Sequence, residues 1–179
     1  MVQREVEVKF RISDVEAVMA VFKDLGVDWS DPQAQDDQAY APRSWSYGMD
    51  KIGVPFARLR TECGAHLFTV KTPQANAMDC LEHETQILDR EAMHAALIAM
   101  GFAPTVRIVK TRRGAKWGPV ALCLDEVEHA GAFLELELFT EADPAVTQQR
   151  LADRVHRLGI AGSRVTDTYD TLVRDALAV

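Results

Sequence analysis

The clearest pattern in the chain is an alternation of polar and apolar residues with a period of two. It begins in 5–10 (Glu-Val-Glu-Val-Lys-Phe), returns in 82–84 (Glu-His-Glu) and appears again in 135–138 (Glu-Leu-Glu-Leu). Successive side chains of a strand point to opposite faces, so each stretch predicts a β-strand with one charged face and one apolar face. Other short stretches of β-prone residues bounded by turn residues predict further strands at 57–62, 66–72, 106–112, 121–128 and near Tyr40.

Helical spacing of apolar residues follows each of the three alternating stretches. Ser13 and Glu16 match a capping box and predict the start of the first helix. Asp89 and Asp143 are the predicted N-caps of the second and third helices. A short helix is also predicted over 167–177. The sequence therefore predicts about seven or eight strands, mostly joined by turns, with a few helices packed against their apolar faces.

Charged side chains share one face in strand after strand. They are Glu5, Glu7, Lys9, Arg58, Arg60, Lys71, Glu82, Glu84, Lys110, Arg112, Asp125, Glu135 and Glu137. One interpretation is an open antiparallel sheet that turns these charges to solvent. Two features instead favour a barrel closed around the charges. The charged faces contain few neutral polar residues, and their acids and bases are segregated onto different strands. Such a lumen would hold more charges than can pair within the protein, which predicts a ligand.

The two sets of charges indicate what that ligand is. Carboxylates at this density are hard oxygen ligands suited to Mg²⁺ or Mn²⁺. The arginine and lysine side chains suit a polyanion with several phosphate groups. A divalent metal ion together with an oligophosphate would provide partners for both the carboxylates and the cations of the lumen.

Length and composition limit the class of protein. The 179 residues, with 47% hydrophobic and 26% charged positions, predict a single globular domain over 1–179. A net charge of −7 argues against nucleic-acid binding, and the longest apolar runs are far shorter than the roughly 20 residues that cross a bilayer. The N-terminus lacks an apolar signal region, so we expect a cytosolic protein. Cys63, Cys80 and Cys123 lack metal-site spacing and are expected to be reduced thiols.

These motifs, taken in order, resemble the CYTH or triphosphate tunnel metalloenzyme superfamily. The similarity rests on the E-x-E-x-K at 5–9, the R-L-R at 58–60, the F-T-V-K-T-P at 68–73, the K-T-R at 110–112 and the L-D-E-V-E-H-A-G-A-F-L-E-L-E at 124–137. The last segment, with Asp37–Tyr40 and Asp167–Tyr169, is most similar to the bacterial class IV adenylyl cyclase branch.

The resemblance implies an α+β fold, a closed eight-stranded antiparallel β-barrel with helices packed outside, in a cytosolic protein that is often a homodimer. It implies two divalent ions, Mg²⁺ or Mn²⁺, held by Glu5, Glu7, Glu135 and Glu137, with Asp125 either as a further ligand or as a support behind the ligands. It implies phosphate binding by Lys9, Arg58, Arg60, Lys71, Lys110 and Arg112. Lys9, Glu7 and Glu137 are the implied catalytic residues, and Glu82 and Glu84 have a less certain role. The family often has arginine where this chain has Cys80, which would weaken phosphate binding or alter substrate preference.

The branch resemblance implies a class IV-type adenylyl cyclase that converts ATP to cyclic AMP and pyrophosphate. The alternative is a triphosphatase acting on inorganic, thiamine or nucleoside triphosphate, with Lys9 as the candidate general base. A non-catalytic module that binds polyphosphate or a nucleotide is a third hypothesis. Lys51 is interpreted as ordinary surface charge, and Trp45 as a loop anchor in preference to a platform for a base.

Overall fold

The computed structural model describes residues 3–178, which contain nine strands and four helices. In chain order they are β1 (Gln3–Ile12), α1 (Val15–Asp24), β2 (Gln33–Pro42), β3 (Phe56–Glu62), β4 (Ala65–Pro73), β5 (Asp79–Ile87), α2 (Arg90–Ala99), β6 (Phe102–Trp117), β7 (Val120–Val127), β8 (Gly131–Phe139), α3 (Pro144–Arg157), β9 (Gly162–Val165) and α4 (Tyr169–Leu177). Every predicted strand and helix is present. β6 is longer than predicted, and the short strand β9 was not predicted.

The strands form a closed antiparallel barrel. Eight of them follow the order β5-β4-β3-β2-β6-β7-β8-β1, and a further pairing of β5 with β1 closes the cylinder. This confirms the eight-stranded barrel with helices outside that the sequence predicts, and it rules out the open sheet. Closure leaves no exposed edge among these strands and separates an inner face from an outer face.

One edge of β1 is shared by two partners. β5 pairs with the first half of β1, from Gln3 to Val6, and β9 pairs with the second half, from Lys9 to Ile12. At the fork the Gln148 side chain of α3 donates hydrogen bonds to the carbonyl oxygens of Glu7 (3.2 Å) and Met78 (3.3 Å). Gln148 therefore gives the Glu7 carbonyl oxygen a partner at the fork and adds a second hydrogen bond to the Met78 carbonyl oxygen, which also accepts from the Glu7 amide at 2.9 Å.

The close approach of β9 to β1 explains a glycine at the start of β9. A Cβ atom at Gly162 would lie 2.8 Å from the carbonyl oxygen of Arg11. Any larger residue would push β9 away from β1. The sequence offered no alternating pattern for this strand because it has only four residues, three of which are exposed.

The main hydrophobic core lies outside the barrel wall. Val18 and Phe22 of α1 pack with Leu151 and Val155 of α3 against the apolar faces of β1, β7 and β8. Phe22 is fully buried and makes edge-to-face contacts with Trp29 and Trp117, at ring-centre distances of 5.7 and 5.6 Å. A smaller core forms where Leu97 of α2 packs on Tyr40, Ala57 and Leu59. The apolar faces are therefore covered by helices, as the sequence predicts.

The helix starts agree with the sequence except at α1. Asp89 and Asp143 cap α2 and α3, each accepting a hydrogen bond from the amide three residues later. In α1 the cap is Asp14, which accepts from the Ala17 amide at 2.9 Å, so the predicted Ser13 capping box is wrong. Asp and Ser are about equally good N-caps, and the strand before α1 ends at Ile12, which leaves Asp14 in the extended conformation that a cap requires.

The helix α4 differs from the other three because it packs over one end of the barrel, against apolar residues at that end of the inner face. Val173 contacts Val106, Ile108 and Phe133 in a third apolar cluster. Ile108 lies two residues from Lys110 on β6, so both side chains point to the lumen. The helix therefore covers one end of the tunnel. None of the helices within 3–178 is long and apolar enough to span a membrane.

Candidate functional site

The lumen contains a charged cavity of about 370 Å³. Its walls include all but one of the predicted site residues, namely Glu5, Glu7, Lys9, Arg58, Arg60, Lys71, Glu82, Glu84, Lys110, Arg112, Glu135 and Glu137. The exception, Asp125, lies in the wall directly behind Lys110 and Arg112. Alternation along the strands therefore brings these residues together on one inner surface.

Carboxylates from β1 and β8 converge in the lumen because Glu7 and Glu137 are directly opposite each other in the strand pairing. Glu5, Glu7 and Glu137 can each offer an oxygen atom within 4.8 Å of the others. Glu137 also belongs to a second group of the same spacing with Glu135 and Cys123. The two groups share one carboxylate and lie side by side.

The acids of this cluster are held in unequal electrostatic surroundings. Burial, together with the charge of Glu135, raises the pKa of Glu7 well above its ordinary value. Burial and the charge of Glu5 also raise the pKa of Glu137. Burial alone would raise the pKa of Glu5, but Lys71 at 2.8 Å brings it well below its usual range. Glu7 and Glu137 therefore lack sufficient positive charge around them.

The cations of the lumen are paired more fully than the sequence predicts. Each of the six predicted phosphate-binding residues contacts a carboxylate: Lys9 with Glu135, Arg58 with Glu84, Arg60 with Asp37, Lys71 with Glu5, Lys110 with Asp125, and Arg112 with Asp125. The expectation that the lumen charges cannot all find partners within the protein is therefore wrong for these six cations. Acids and bases segregated along the sequence meet across neighbouring strands and across the lumen.

Asp125 supports two of these cations from the wall. Its side chain is fully buried and accepts hydrogen bonds from Lys110 (3.0 Å) and from Nε of Arg112 (2.6 Å). Burial would raise its pKa, but these two cations hold the pKa far below its usual range. Arg112 reaches on to Glu135 at 2.6 Å. Asp125 thus lies behind the cations and belongs to neither of the two clusters that could bind a metal ion.

Glu82 and Glu84 of β5 differ in depth. Glu82 lies 3.0 Å from Lys71, and burial together with the neighbouring Glu5 raises its pKa to about 7. Glu84 accepts hydrogen bonds from Thr69 and Arg58, and its side chain is 40% exposed. Glu82 therefore belongs to the inner cluster, whereas Glu84 lies towards the opening.

Asp37 of β2 is an inner-face residue that the sequence analysis did not assign to the site. It lies opposite Arg60 in the β2–β3 pairing and accepts two hydrogen bonds from it, both 2.7 Å long. Its alternation signal was hidden because Asp36 and Asp37 are adjacent and the neighbouring polar residues are glutamines. Knowledge of the strand register would have been needed to choose between the two.

Two cysteines lie on the inner face. Cys80 is opposite Glu5, and burial raises the pKa of its thiol to about 12. Cys123 lies opposite Glu135, with its sulfur 3.6 Å from an oxygen of Glu137. At the position of Cys80 an arginine would face Glu5, whereas in this chain Lys71 reaches Glu5 instead.

The covered end of the tunnel brings in residues that the sequence did not identify. The Nζ atom of Lys51, from the β2–β3 loop, lies 2.7 Å from Oγ1 of Thr168, 3.0 Å from that of Thr171 and 3.3 Å from a carboxylate oxygen of Asp170. The interpretation of Lys51 as surface charge is therefore wrong. Trp45 is buried and donates to the carbonyl oxygen of Asp50, which agrees with its predicted role as a loop anchor.

Comparison with models of protein families shows which family has this architecture. The model of the CYTH domain matches residues 3–169, nearly the whole chain. This protein belongs to the CYTH family. Membership agrees with the tunnel, with the order of its charged motifs and with the resemblance recognised in the sequence.

Individual relatives extend the comparison. Adenylate cyclase CyaB of Aeromonas hydrophila is 29% identical over 180 residues, covering 98% of this chain and 91% of the relative. The solved structure of a Pyrococcus horikoshii protein shares the fold with a TM-score of 0.79 at 24% identity, covering 94% of this chain and 99% of that one. A Hippeastrum protein described as having a dominant triphosphatase activity has a TM-score of 0.61 at 15% identity, with coverages of 96% and 95%.

Proposed function

We propose that this CYTH protein is a divalent-metal-dependent enzyme of the class IV adenylyl cyclase type, converting ATP to cyclic AMP and pyrophosphate. The observation that carries the proposal is the cluster of three carboxylates, from Glu5, Glu7 and Glu137, which faces six arginine and lysine side chains across one cavity. The choice of cyclase is supported by the branch resemblance of the sequence and by the name of the Aeromonas relative.

The chemistry of the carboxylate group fits a divalent cation. Glu5, Glu7 and Glu137 offer hard oxygen ligands at suitable spacing. The pKa values of Glu7 and Glu137 are raised by burial and by repulsion from neighbouring carboxylates, and a bound cation would offset both effects. We propose Mg²⁺ or Mn²⁺ there, with a second ion between Glu135 and Glu137. Asp125 is proposed to support Lys110 and Arg112 in place of binding metal directly.

The basic residues are proposed to hold the triphosphate. Arg60 and Arg112 present planar guanidinium groups that match phosphate oxygens, and Lys9, Lys71 and Lys110 present compact point charges. Each is now paired with a carboxylate, so a bound triphosphate would replace those carboxylates as the partner. The existing ion pairs keep the cations oriented before substrate arrives, which lowers the entropy cost of positioning the triphosphate.

In the proposed reaction the ribose 3′-hydroxyl loses its proton to water, and its oxygen attacks the α-phosphorus in line. A new O–P bond forms while the bond from the α-phosphorus to the bridging oxygen breaks, and pyrophosphate leaves with that oxygen. Bound divalent ions would supply Lewis acidity at the hydroxyl and at the leaving group. The arginine and lysine side chains hold the pyrophosphate in place as its charge develops, and the mechanism needs no covalent enzyme intermediate.

The alternative is a triphosphatase, in which water attacks the terminal phosphorus of a triphosphate. Burial and the neighbouring Arg112 lower the pKa of Lys110 to about 8, within reach of a general base at neutral pH. Lys9, the candidate base implied by the resemblance, lies in ion pairs with Glu135 at 3.2 Å and Glu7 at 3.9 Å. Lys110 is itself paired with Asp125 at 3.0 Å, so it is a second candidate base beside Lys9 if the reaction is hydrolysis.

The family resemblance extends the proposal to a cytosolic homodimer that acts on a small triphosphate and does not bind nucleic acid. Light scattering on the purified protein would test the dimer, because the chain mass is 19.9 kDa. A mass near twice this value is expected.

Product analysis by chromatography tests the activity itself. The protein is incubated with ATP or with tripolyphosphate in Mg²⁺, in Mn²⁺ and in excess chelator. Cyclic AMP with pyrophosphate in the metal samples alone is the expected result. Phosphate released from tripolyphosphate, with ATP left intact, would establish the triphosphatase. A protein that binds triphosphate without turning over either compound would be the non-catalytic module.

A further inference from the structure

A tyrosine on α4 contacts two of the proposed phosphate-binding lysines. The Nζ atom of Lys9 lies 4.1 Å from the ring centre of Tyr169, and the Nζ atom of Lys110 lies 4.7 Å from the same centre. Both distances are within the range of a cation–π contact. One aromatic ring therefore touches two ammonium groups that come from different strands.

Both lysines are buried, so this contact takes place away from bulk water. Their side chains are each 2% exposed. Lys9 also contacts Glu135 and donates to the carbonyl oxygen of Asp167 at 3.2 Å, while Lys110 contacts Asp125 at 3.0 Å. An ammonium group has three donors on a flexible stem, so two or three fixed contacts are needed to give it one direction. The ring supplies one of these contacts to each lysine.

The position of Tyr169 is itself held by its surroundings. Its ring packs edge-on against Phe133, with ring centres 5.2 Å apart. The residues on either side of it, Thr168 and Asp170, are tied to Lys51 across the end of the tunnel. Its hydroxyl is buried next to the Asp125 carboxylate, without a hydrogen bond of ordinary length and angle among residues 3–178. The ring, and not the hydroxyl, makes the contacts with Lys9 and Lys110.

We propose that Tyr169 is a positioning residue that directs Lys9 and Lys110 towards the triphosphate through contacts with its ring. The inference rests on the proposed function, because it assumes that these two lysines bind phosphate. A tyrosine that merely filled the end of the barrel could be replaced by any apolar residue of similar volume. A positioning ring requires an aromatic residue.

Three variants separate these roles. Tyr169→Phe keeps the ring and removes the hydroxyl, and Tyr169→Leu removes the ring while leaving an apolar side chain. Val173→Ala is the matched control, because Val173 is buried in the same apolar cluster of α4 but does not line the cavity. It should lower the melting temperature and leave affinity and turnover of the folded protein unchanged.

Two measurements are made on each variant. Nuclear magnetic resonance detects the ε-methylene protons of Lys9 and Lys110, whose signals should be shifted upfield by the ring in the wild type and in Tyr169→Phe. Isothermal titration with tripolyphosphate in excess chelator measures the phosphate contacts without turnover. Loss of two cation–π contacts should weaken binding about tenfold in Tyr169→Leu, and Tyr169→Phe should remain within about twofold of the wild type.

The outcomes distinguish this proposal from the proposed function. If the wild type binds tripolyphosphate and Tyr169→Leu binds it equally well, Tyr169 positions nothing and the inference is overturned alone. An equal loss of affinity in Val173→Ala, or in Tyr169→Phe, would also overturn it, because the ring would not be the cause. A wild type that binds tripolyphosphate neither in chelator nor with Mg²⁺ would overturn the proposed function and this inference together. If the wild type binds only with Mg²⁺, the same comparison of variants is made in that buffer.

Discussion

The outer and inner faces of the same barrel strands use burial in opposite ways. On β1, Val8 and Phe10 point outward into the core under α1 and α3, whereas Glu7 and Lys9 point into the lumen. Burying apolar side chains stabilises the fold by roughly 25 cal/mol for each Å² removed from water. Burying charges does not, since desolvation can exceed the gain from pairing. The outer face therefore explains stability, and the inner face is arranged for a ligand.

The largest effect expected from this comparison is on turnover. Glu137→Gln removes the carboxylate common to both candidate metal groups while keeping the size of the side chain. We expect turnover to fall by roughly a thousandfold, about 4 kcal/mol in the barrier. The melting temperature in chelator should stay the same or rise, because a repelled charge has been removed. Unchanged turnover with either Mg²⁺ or Mn²⁺ would exclude Glu137 from the mechanism.

The opposite result is expected on the outer face. Phe22→Ala empties a fully buried site between α1 and the two tryptophans. Substitutions of this kind destabilise by about 3–5 kcal/mol. The loss should appear in urea unfolding, while kcat of the folded fraction stays close to that of the wild type. A loss of turnover larger than the loss of folded protein would show that the two faces are not independent.

A smaller effect is expected for Arg60, one of the proposed phosphate-binding residues. Arg60→Ala removes a bidentate guanidinium and should weaken triphosphate binding by roughly 10- to 100-fold in calorimetry. The control is Asp37→Asn, which removes the carboxylate that now occupies Arg60. That variant should bind triphosphate as tightly as the wild type or more tightly. Weaker binding by both variants would indicate that the pair serves the fold.

The smallest effect is a pH dependence of stability. The pKa of Glu82 is raised to about 7 in the folded protein, above its unfolded value of 4.5. The folded state therefore binds this proton more tightly. The associated stability is fully present below pH 4.5 and is lost as the pH rises to about 7. In chelator, the wild type should lose on the order of 1–2 kcal/mol relative to Glu82→Gln between pH 6 and pH 8. Parallel stability curves would contradict the raised pKa.

Much of this contrast between faces could be predicted from the sequence. Alternation in 5–10 and 135–138 identified the charged face, because a period of two is a property of the strand alone. The same reasoning could not show which acid meets which base. Arg60 meets Asp37, and Lys71 meets Glu5, only because of strand register and closure of the barrel.

The covered end of the tunnel was the least predictable region. Lys51 lies in a loop without periodicity, and its partners Thr168 and Asp170 are more than 100 residues away in the chain. The α4 helix was predicted from its apolar spacing. That spacing is the same whether a helix covers the side of a barrel or packs over one of its ends. The contacts of Tyr169 with Lys9 and Lys110 follow from that placement.

The central claim, that the inner face is a metal and triphosphate site, is tested most directly by a crystal structure with Mn²⁺ and tripolyphosphate. Anomalous diffraction identifies manganese directly. We expect a manganese peak among Glu5, Glu7 and Glu137, with phosphate oxygens on Arg60, Lys110 and Arg112. Manganese and phosphate found only on the outer surface, with the lumen ion pairs intact, would contradict it.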